Sequence, residues 1–333
     1  MSLADWLQRR WYEPSPPAGL VPFSALFRGA VALRRWAYRN AWKGSRRLRV
    51  PVVVVGNLTV GGTGKTPLTI WLAEFLKAAG YKPGVVSRGY GGRRQDNPLA
   101  VYADSDPAEA GDEPVLIARR SGCPVYAFPR RAEAGLALLA ATDCDIIIAD
   151  DGLQHYALAR DVEIAVVDGE RRFGNGFCLP AGPLREPVKR LREADLIVCR
   201  GEPRLGEYPM ALAFGEAVNL ADESLKKPLA DFTGMKLKAV AGIGHPQRFF
   251  AGLKAVGLDF EARDFPDHHR FTPQDLGPNE AQVLMTEKDG VKCRRFAGGQ
   301  RLWAVPLVAD LPAAFGEQLL QLLKAKYDGQ KTA

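Results

Sequence analysis

The chain has no CxxC pair, no internal repeat and no low-complexity tract. Its five cysteines, Cys123, Cys144, Cys178, Cys199 and Cys293, are odd in number and far apart. That spacing argues against a disulfide framework or a cysteine zinc site, and reads as a reduced, cytosolic protein with packed thiols. Nor is there a charge-free apolar run of about 20 residues, which a membrane-spanning helix requires. The most apolar stretch, Leu20 to Trp42, is interrupted by Arg28, Arg34, Arg35 and Arg39. No small-residue cleavage site follows a clean apolar core, so a cleavable signal peptide is not expected. Acidic residues are nearly missing from positions 1–49, where Asp5 and Glu13 stand against ten lysines and arginines.

That imbalance carries the whole formal charge of +7, because the rest of the chain holds 35 basic against 36 acidic residues. A basic tail of this kind points to an anionic surface, phospholipid or nucleic acid. No recognition motif accompanies the charge, so nucleic acid is not the expected partner. Arg28, Arg35, Arg39 and Lys43 lie seven, four and four apart, close to one helical face, and Phe23, Phe27, Ala30 and Ala37 fall on another. A basic stripe beside an apolar face predicts a helix lying in the membrane interface. The plainer alternative is a helix packed on its domain with snorkelling arginines.

From Val50 onward, short β-branched runs alternate with helical stretches. The runs are Pro51–Val55, Gly84–Val86, Val125–Phe128, Asp145–Ala149, Val162–Val167 and Ala194–Cys199, and the connectors include Pro67–Ala79, Pro114–Arg120 and Ala132–Ala141. Such runs read as buried parallel strands, and the alternation predicts a doubly wound, mostly parallel α/β sheet. The pattern weakens over Gly201–Lys227, which reads as a linker. A smaller α/β unit follows, with strands at Leu237–Ile243, Gln282–Thr286 and Leu302–Val305 and helices at Gln247–Val256 and Ala313–Tyr327. The expected organisation is a basic segment over 1–45, a P-loop domain over 46–225 and a smaller domain over 226–333.

The strongest motif runs from Val52 to Pro67. A buried strand enters a glycine-rich loop ending in Gly64-Lys65-Thr66, and a helix follows. That is the context a phosphate-binding loop needs, and it makes the expected sheet one of the P-loop NTPase type. Gly61, Gly62 and Gly64 let backbone N–H groups, with that of Thr63, curl around an anion. The helix aims its positive end at the same place. Lys65 reaches β- and γ-phosphates and the Thr66 hydroxyl ligates Mg²⁺ in such loops. One feature departs from the common pattern: Thr59 occupies the position usually held by the first glycine. The glycine run also resembles partition-type ATPases, but the extra loop lysine of that class would fall at Val60 and is missing.

A second anchor is Asp150-Asp151-Gly152-Leu153-Gln154-His155, directly after the apolar run Ile146–Ala149. The carboxyl edge of a parallel sheet is where ligands bind and where a P-loop enzyme keeps its metal-holding aspartate. Paired carboxylates suit Mg²⁺, and Gln154 and His155 follow close enough to reach phosphate or metal-bound water. Smaller constellations carry two readings each. Ser87-Arg88-Gly89-Tyr90-Gly91 is a phosphate-contacting edge or a glycine loop with a surface arginine. Asp112 in Gly111-Asp112-Glu113-Pro114 is a helix N-cap or a proton acceptor. Arg185-Glu186 in a proline loop stabilises transferring phosphate or is surface charge. In Asp267-His268-His269, a histidine orients a carboxylate or is structural. Thr286-Glu287-Lys288-Asp289 reads as a capped turn.

Taken in order, these segments resemble the tetraacyldisaccharide 4'-kinase family of lipid A biosynthesis. Further matching pieces are Pro180–Pro187, Gly242-Ile243-Gly244-His245-Pro246, Phe265–His269 and Thr286–Asp289. His245 and Leu153 depart from the family pattern, where Asn and Phe are common. The resemblance implies two α/β domains and transfer of the ATP γ-phosphate to the 4'-hydroxyl of a tetraacylated disaccharide 1-phosphate. It makes Asp112 the base, assisted by His268. Lys65 then holds phosphates, Thr66, Asp150 and Asp151 manage Mg²⁺, and Arg185 meets transition-state charge. Ser87, Arg88, Tyr90, Glu113, Gln154, His155 and Glu186 give support. The implied partners are the lipid A precursor and the anionic cytoplasmic face of a Gram-negative inner membrane, with no obligate protein partner.

Overall fold

Val52–Gly56 is buried at every position, as a β-branched run without polar alternation demands. It is the central strand of one of two compact units in the computed structural model, which describes residues 3–93, 96–277, 280–299 and 301–331. This unit comprises Met1–Arg88, Phe128–Ala211 and Leu311–Ala333. Its parallel strands lie side by side in the order Tyr208–Phe214, Leu196–Arg200, Val162–Asp168, Val52–Gly56, Ile146–Ala149 and Pro83–Ser87. Val54 pairs with Ala149. The loop after Gly56 and the carboxylates after Ala149 therefore leave the sheet at the same carboxyl edge, where α/β folds bind ligands.

Helices Lys65–Ala78 and Arg131–Ala141 lie in this unit. The C-terminal helix Ala313–Lys331 packs on the first of them: the Phe315 ring lies 5.6 Å from that of Trp71. All five cysteines are buried and unbridged.

The basic helix runs over Val21–Arg39. Its docking corrects the face assignment made from spacing. Arg35 is buried and binds both oxygens of Glu193 at 2.6 Å, and Arg39 meets the same carboxylate at 2.7 Å. Ser24 is buried too, its hydroxyl donating to the Cys178 carbonyl at 2.6 Å. Phe27 packs against Leu58, Cys178 and Leu184. The exposed apolar face keeps Phe23 and adds Leu26, Leu33 and Trp36. The spacing rule located a stripe correctly but not which way it turned, because Glu193 lies 158 residues away in sequence. No described helix is long and apolar enough to cross a membrane.

The other unit comprises Gly89–Ala127 and Leu212–Asp310. Its sheet has the order Lys226–Lys227, Ala217–Asn219, Leu302–Val305, Gln282–Thr286, Leu237–Ala241, Glu261–Asp264. The last four are parallel. Two expectations change here. The presumed linker Gly201–Lys227 holds three strands, Tyr208–Phe214, Ala217–Asn219 and Lys226–Lys227, the first and last of them partly exposed. Val125–Ala127 pairs antiparallel with Leu99–Val101, a strand too short to announce itself. Phe232, Leu253, Leu284 and Trp303 form the core on one face of this sheet, and Val240, Phe271 and Met285 lie in a second cluster.

Candidate active site

The glycine loop is held from outside. The Val60 N–H donates to the Pro183 carbonyl at 2.8 Å, and the Arg185 N–H donates to the Leu58 carbonyl at 2.6 Å. The proline loop thereby clamps the start of the glycine loop and brings Arg185 beside it. Gly61 and Gly64 adopt φ of 106° and 93°, which only glycine accepts without strain. Gly64 then starts the helix Lys65–Ala78. A Cβ at Gly56 would stand 2.8 Å from Leu153 Cγ, so the strand end and the carboxylate turn approach through a missing side chain. Leu153 is buried in that contact.

Lys65 is folded back over its own loop. Its Nζ donates to Asn57 Oδ1 at 3.2 Å and lies 3.4 Å from Asp151 Oδ1. Asp151 is gripped further by Arg185, whose Nη1 meets both carboxylate oxygens at 3.0 Å. Arg131 Nη2 donates to the Asp151 carbonyl at 2.9 Å. Burial alone would raise the Asp151 carboxyl, but Lys65 and Arg185 outweigh it and hold it well below the usual range. Burial lowers Arg131 to about 10, so it remains a cation at neutral pH. Three cations thus surround one carboxylate, beside a helix N-terminus. The buried Thr63 hydroxyl finds no hydrogen-bond partner among the described residues. A cradle with surplus positive charge and an unsatisfied donor fits a polyphosphate.

Asp150 is buried, and its Oδ1 accepts from the Thr69 hydroxyl at 3.0 Å. Gln154 Nε2 donates to the Asn57 carbonyl at 3.1 Å and to Glu186 Oε2 at 3.2 Å. Tyr156 donates to the other oxygen of the buried Glu186. His155 is pushed down to about 3, first by burial and then by Arg131 and other arginines, so its ring is neutral. Ser87 is buried at the end of its strand and Arg88 is exposed.

The second unit assembles its own cluster. Asp112 is buried at the first position of helix Asp112–Ser121, with Gly111 as the cap residue; it is therefore not the N-cap. His268 Nδ1 lies 3.0 Å from Asp112 Oδ2. Burial opposes ionisation of Asp112, but the His268 hydrogen bond and Lys288 lower its pKa; the same bond raises His268. The Tyr90 ring meets His268 edge-on at 5.0 Å. Glu113 pairs with Lys288 at 3.2 Å. His269 separates from its neighbour: it hydrogen-bonds Asp275 at 3.2 Å and stacks on Phe265.

Lys65, Asp150, Asp151, Gln154, Arg185 and Glu186 are thus brought together in one unit, and Tyr90, Asp112, Glu113 and His268 in the other. Sequence reading assigned no role to Asn57, Thr69 or Arg131. Thr69 had a usable signal, since it lies one helical turn after Lys65 on the same face. Arg131 opens a helix that is apolar after Glu133. Asn57 had none, because its partner Lys65 reaches it only by folding back.

A family profile described as tetraacyldisaccharide-1-P 4'-kinase matches residues 17–324. The tetraacyldisaccharide 4'-kinase of Nitrosococcus oceani is 54% identical over 318 residues, covering 95% of this chain and 94% of that protein. That of Aeromonas hydrophila is 51% identical over 329 residues, with 97% and 98% covered. Among solved structures, "apo" form LpxK from Aquifex aeolicus in complex with ATP matches with a TM-score of 0.79 at 30% identity, covering 92% of this chain and 99% of that one.

Proposed function

The chain belongs to the tetraacyldisaccharide-1-P 4'-kinase family of lipid A biosynthesis, and from that premise we propose how its residues move the γ-phosphate of ATP to the 4'-hydroxyl of a tetraacyldisaccharide 1-phosphate. The glycine loop receives the β- and γ-phosphates on its N–H groups, and Lys65 leaves Asn57 and Asp151 to meet them. The single observation that carries this is the Lys65–Asp151–Arg185 arrangement, in which a loop lysine and an arginine are pre-assembled around one carboxylate. Arg185 then faces the charge that spreads over the phosphoryl oxygens in flight.

The donor set fits Mg²⁺, a hard cation that prefers oxygen. Thr66 and Asp150 would hold it, with Asp151 beside them. Thr69 orients Asp150 through its 3.0 Å hydrogen bond, while Arg185 engages both oxygens of Asp151. The ion supplies charge neutralisation to the phosphates when bound. At the acceptor, Asp112 takes the hydroxyl proton as the sugar oxygen bonds to the γ-phosphorus, the bond to the β,γ-bridging oxygen breaks, and ADP departs. His268 orients the Asp112 carboxylate through its 3.0 Å hydrogen bond.

The exposed apolar face of Phe23, Leu26, Leu33 and Trp36, flanked by Arg28 and Arg34, supports a seat for the enzyme on the cytoplasmic face of the inner membrane. There the acyl chains stay in the bilayer while the sugar headgroup enters. The test uses γ-labelled ATP and detergent-dispersed acceptor. Wild-type chain moves label to the lipid. Lys65→Ala and Asp150→Asn each lower the rate by about a hundredfold or more without loss of folded structure. Wild-type rates in both variants would overturn these roles.

A further inference from the structure

Lys288 and Lys292 take part in no step described so far. They sit one turn apart on the helix Glu287–Cys293, and both ammonium groups stand 3.9 Å from the same atom, Asp112 Oδ2. That oxygen is the one His268 engages. Lys288 also donates to Glu113 Oε1 and Asp267 Oδ1, each at 3.2 Å. One ammonium therefore joins the helix start that carries Asp112 to the loop that carries His268. Lys292 is held from behind by Asp289 at 2.7 Å. Asp289 is in turn fixed by the Gly242 N–H at 2.9 Å and the Thr286 hydroxyl at 2.7 Å. The two lysine side chains are 18% and 11% exposed, and ammonium groups so withdrawn from water need carboxylates around them.

The loop needs holding. His268 adopts φ of 60°, a left-handed conformation that strains a non-glycine residue. Asp267 accepts the His268 N–H at 3.1 Å, and Lys288 grips the same Asp267 oxygen. Gly91 passes so close that a Cβ there would lie 3.0 Å from His268 Nδ1.

We propose that Lys288 is a positioning residue of the phosphoryl transfer: it fixes His268 against Asp112 and, with Lys292, supplies the positive charge that keeps Asp112 a carboxylate until it takes the acceptor's proton. This rests on Asp112 being the proton acceptor. The charges facing Asp112 are His268, Lys288 and Lys292 on the positive side and Glu113, Asp267 and Asp289 on the negative side, with Tyr90 against the histidine ring. Removing Lys288 leaves three acids and makes Asp112 harder to ionise. Since the ionised form is the active one, activity is lost as pH falls through the apparent pKa of the pair. Loss of the cation raises that pKa, so the acid limb of the profile moves to higher pH. A lysine needed only for packing would lower activity equally at every pH. The fold does not hang on Lys288, because Arg120 ties the same two helices by binding both oxygens of Glu287 at 2.8 Å.

The experiment records kcat/KM for detergent-dispersed acceptor against pH, on the full chain, with thermal melting alongside. Lys288→Met is expected to move the acid limb upward by about one pH unit and to lower kcat at neutral pH, with KM for ATP unchanged. Lys288→Arg restores most of the rate, and Lys292→Met gives a smaller shift in the same direction. Asp112→Asn is inactive. An acid limb that coincides with wild type in Lys288→Met, or in Lys292→Met should the first variant not fold, overturns the proposal while Asp112→Asn stays inactive. Full activity in Asp112→Asn removes the base assignment and the proposal with it.

Discussion

At the scale of single residues, the candidate site crowds cations together, with Lys65, Arg131 and Arg185 around Asp151. His155 illustrates the consequence for stability. Its Nε2 is buried without a partner among the described residues, and arginines crowd it. The folded chain keeps the ring neutral down to about pH 3, whereas an unfolded histidine takes a proton near 6.5. Unfolding therefore binds a proton across that window, and stability falls as pH drops from about 6.5 toward 3. His155→Gln removes the group that titrates. Melting curves taken at several acid pH values should show a shallower decline for the variant than for wild type, and parallel declines would refute it. The site motifs were legible in the sequence because glycines, the Lys65-Thr66 pair and the two aspartates each need a fixed spacing. Asn57 was not, since its role depends on a lysine bending back over the loop.

Among the elements, the helix Val21–Arg39 divides its labour by face. Arg35 is buried against Glu193, while Phe23, Leu26, Leu33 and Trp36 are exposed. Two kinds of substitution should separate cleanly. Leu26→Glu with Leu33→Glu should abolish sedimentation with vesicles of phosphatidylethanolamine and phosphatidylglycerol while leaving the melting temperature nearly unchanged. Arg35→Ala should lower folding stability by about 1.5–3 kcal/mol, the range for hydrogen bonds to charged groups. Vesicle binding that survives the double substitution contradicts the exposed face as the docking surface. The sequence showed that this helix was amphipathic and basic. It hid the direction of the faces, because an arginine on a polar stripe looks the same whether it meets lipid or a distant glutamate. Strands behaved similarly. Val52–Gly56 and Ile146–Ala149 announced themselves by being buried on both sides. Glu261–Asp264 is exposed throughout, so no apolar pattern marks it.

Over the whole molecule, charge and chemistry are segregated along the chain. The net positive charge lies in the first 49 residues, and the remainder is nearly neutral. Each compact unit carries a charged cluster of its own: Lys65, Arg131 and Arg185 around Asp151 in one, the Asp112–His268 pair in the other. The alternation of strands and helices revealed the α/β class, but the second unit takes residues from two separate stretches of chain, Gly89–Ala127 and Leu212–Asp310. Linear reading groups neighbours in sequence and has no means of seeing such a return. The most direct test of the central claim is phosphorus NMR of the products formed from ATP and tetraacyldisaccharide 1-phosphate. A new phosphate monoester on the 4'-oxygen, appearing one for one with ADP, is the predicted result. ADP accumulating with free phosphate and an unchanged lipid would contradict it.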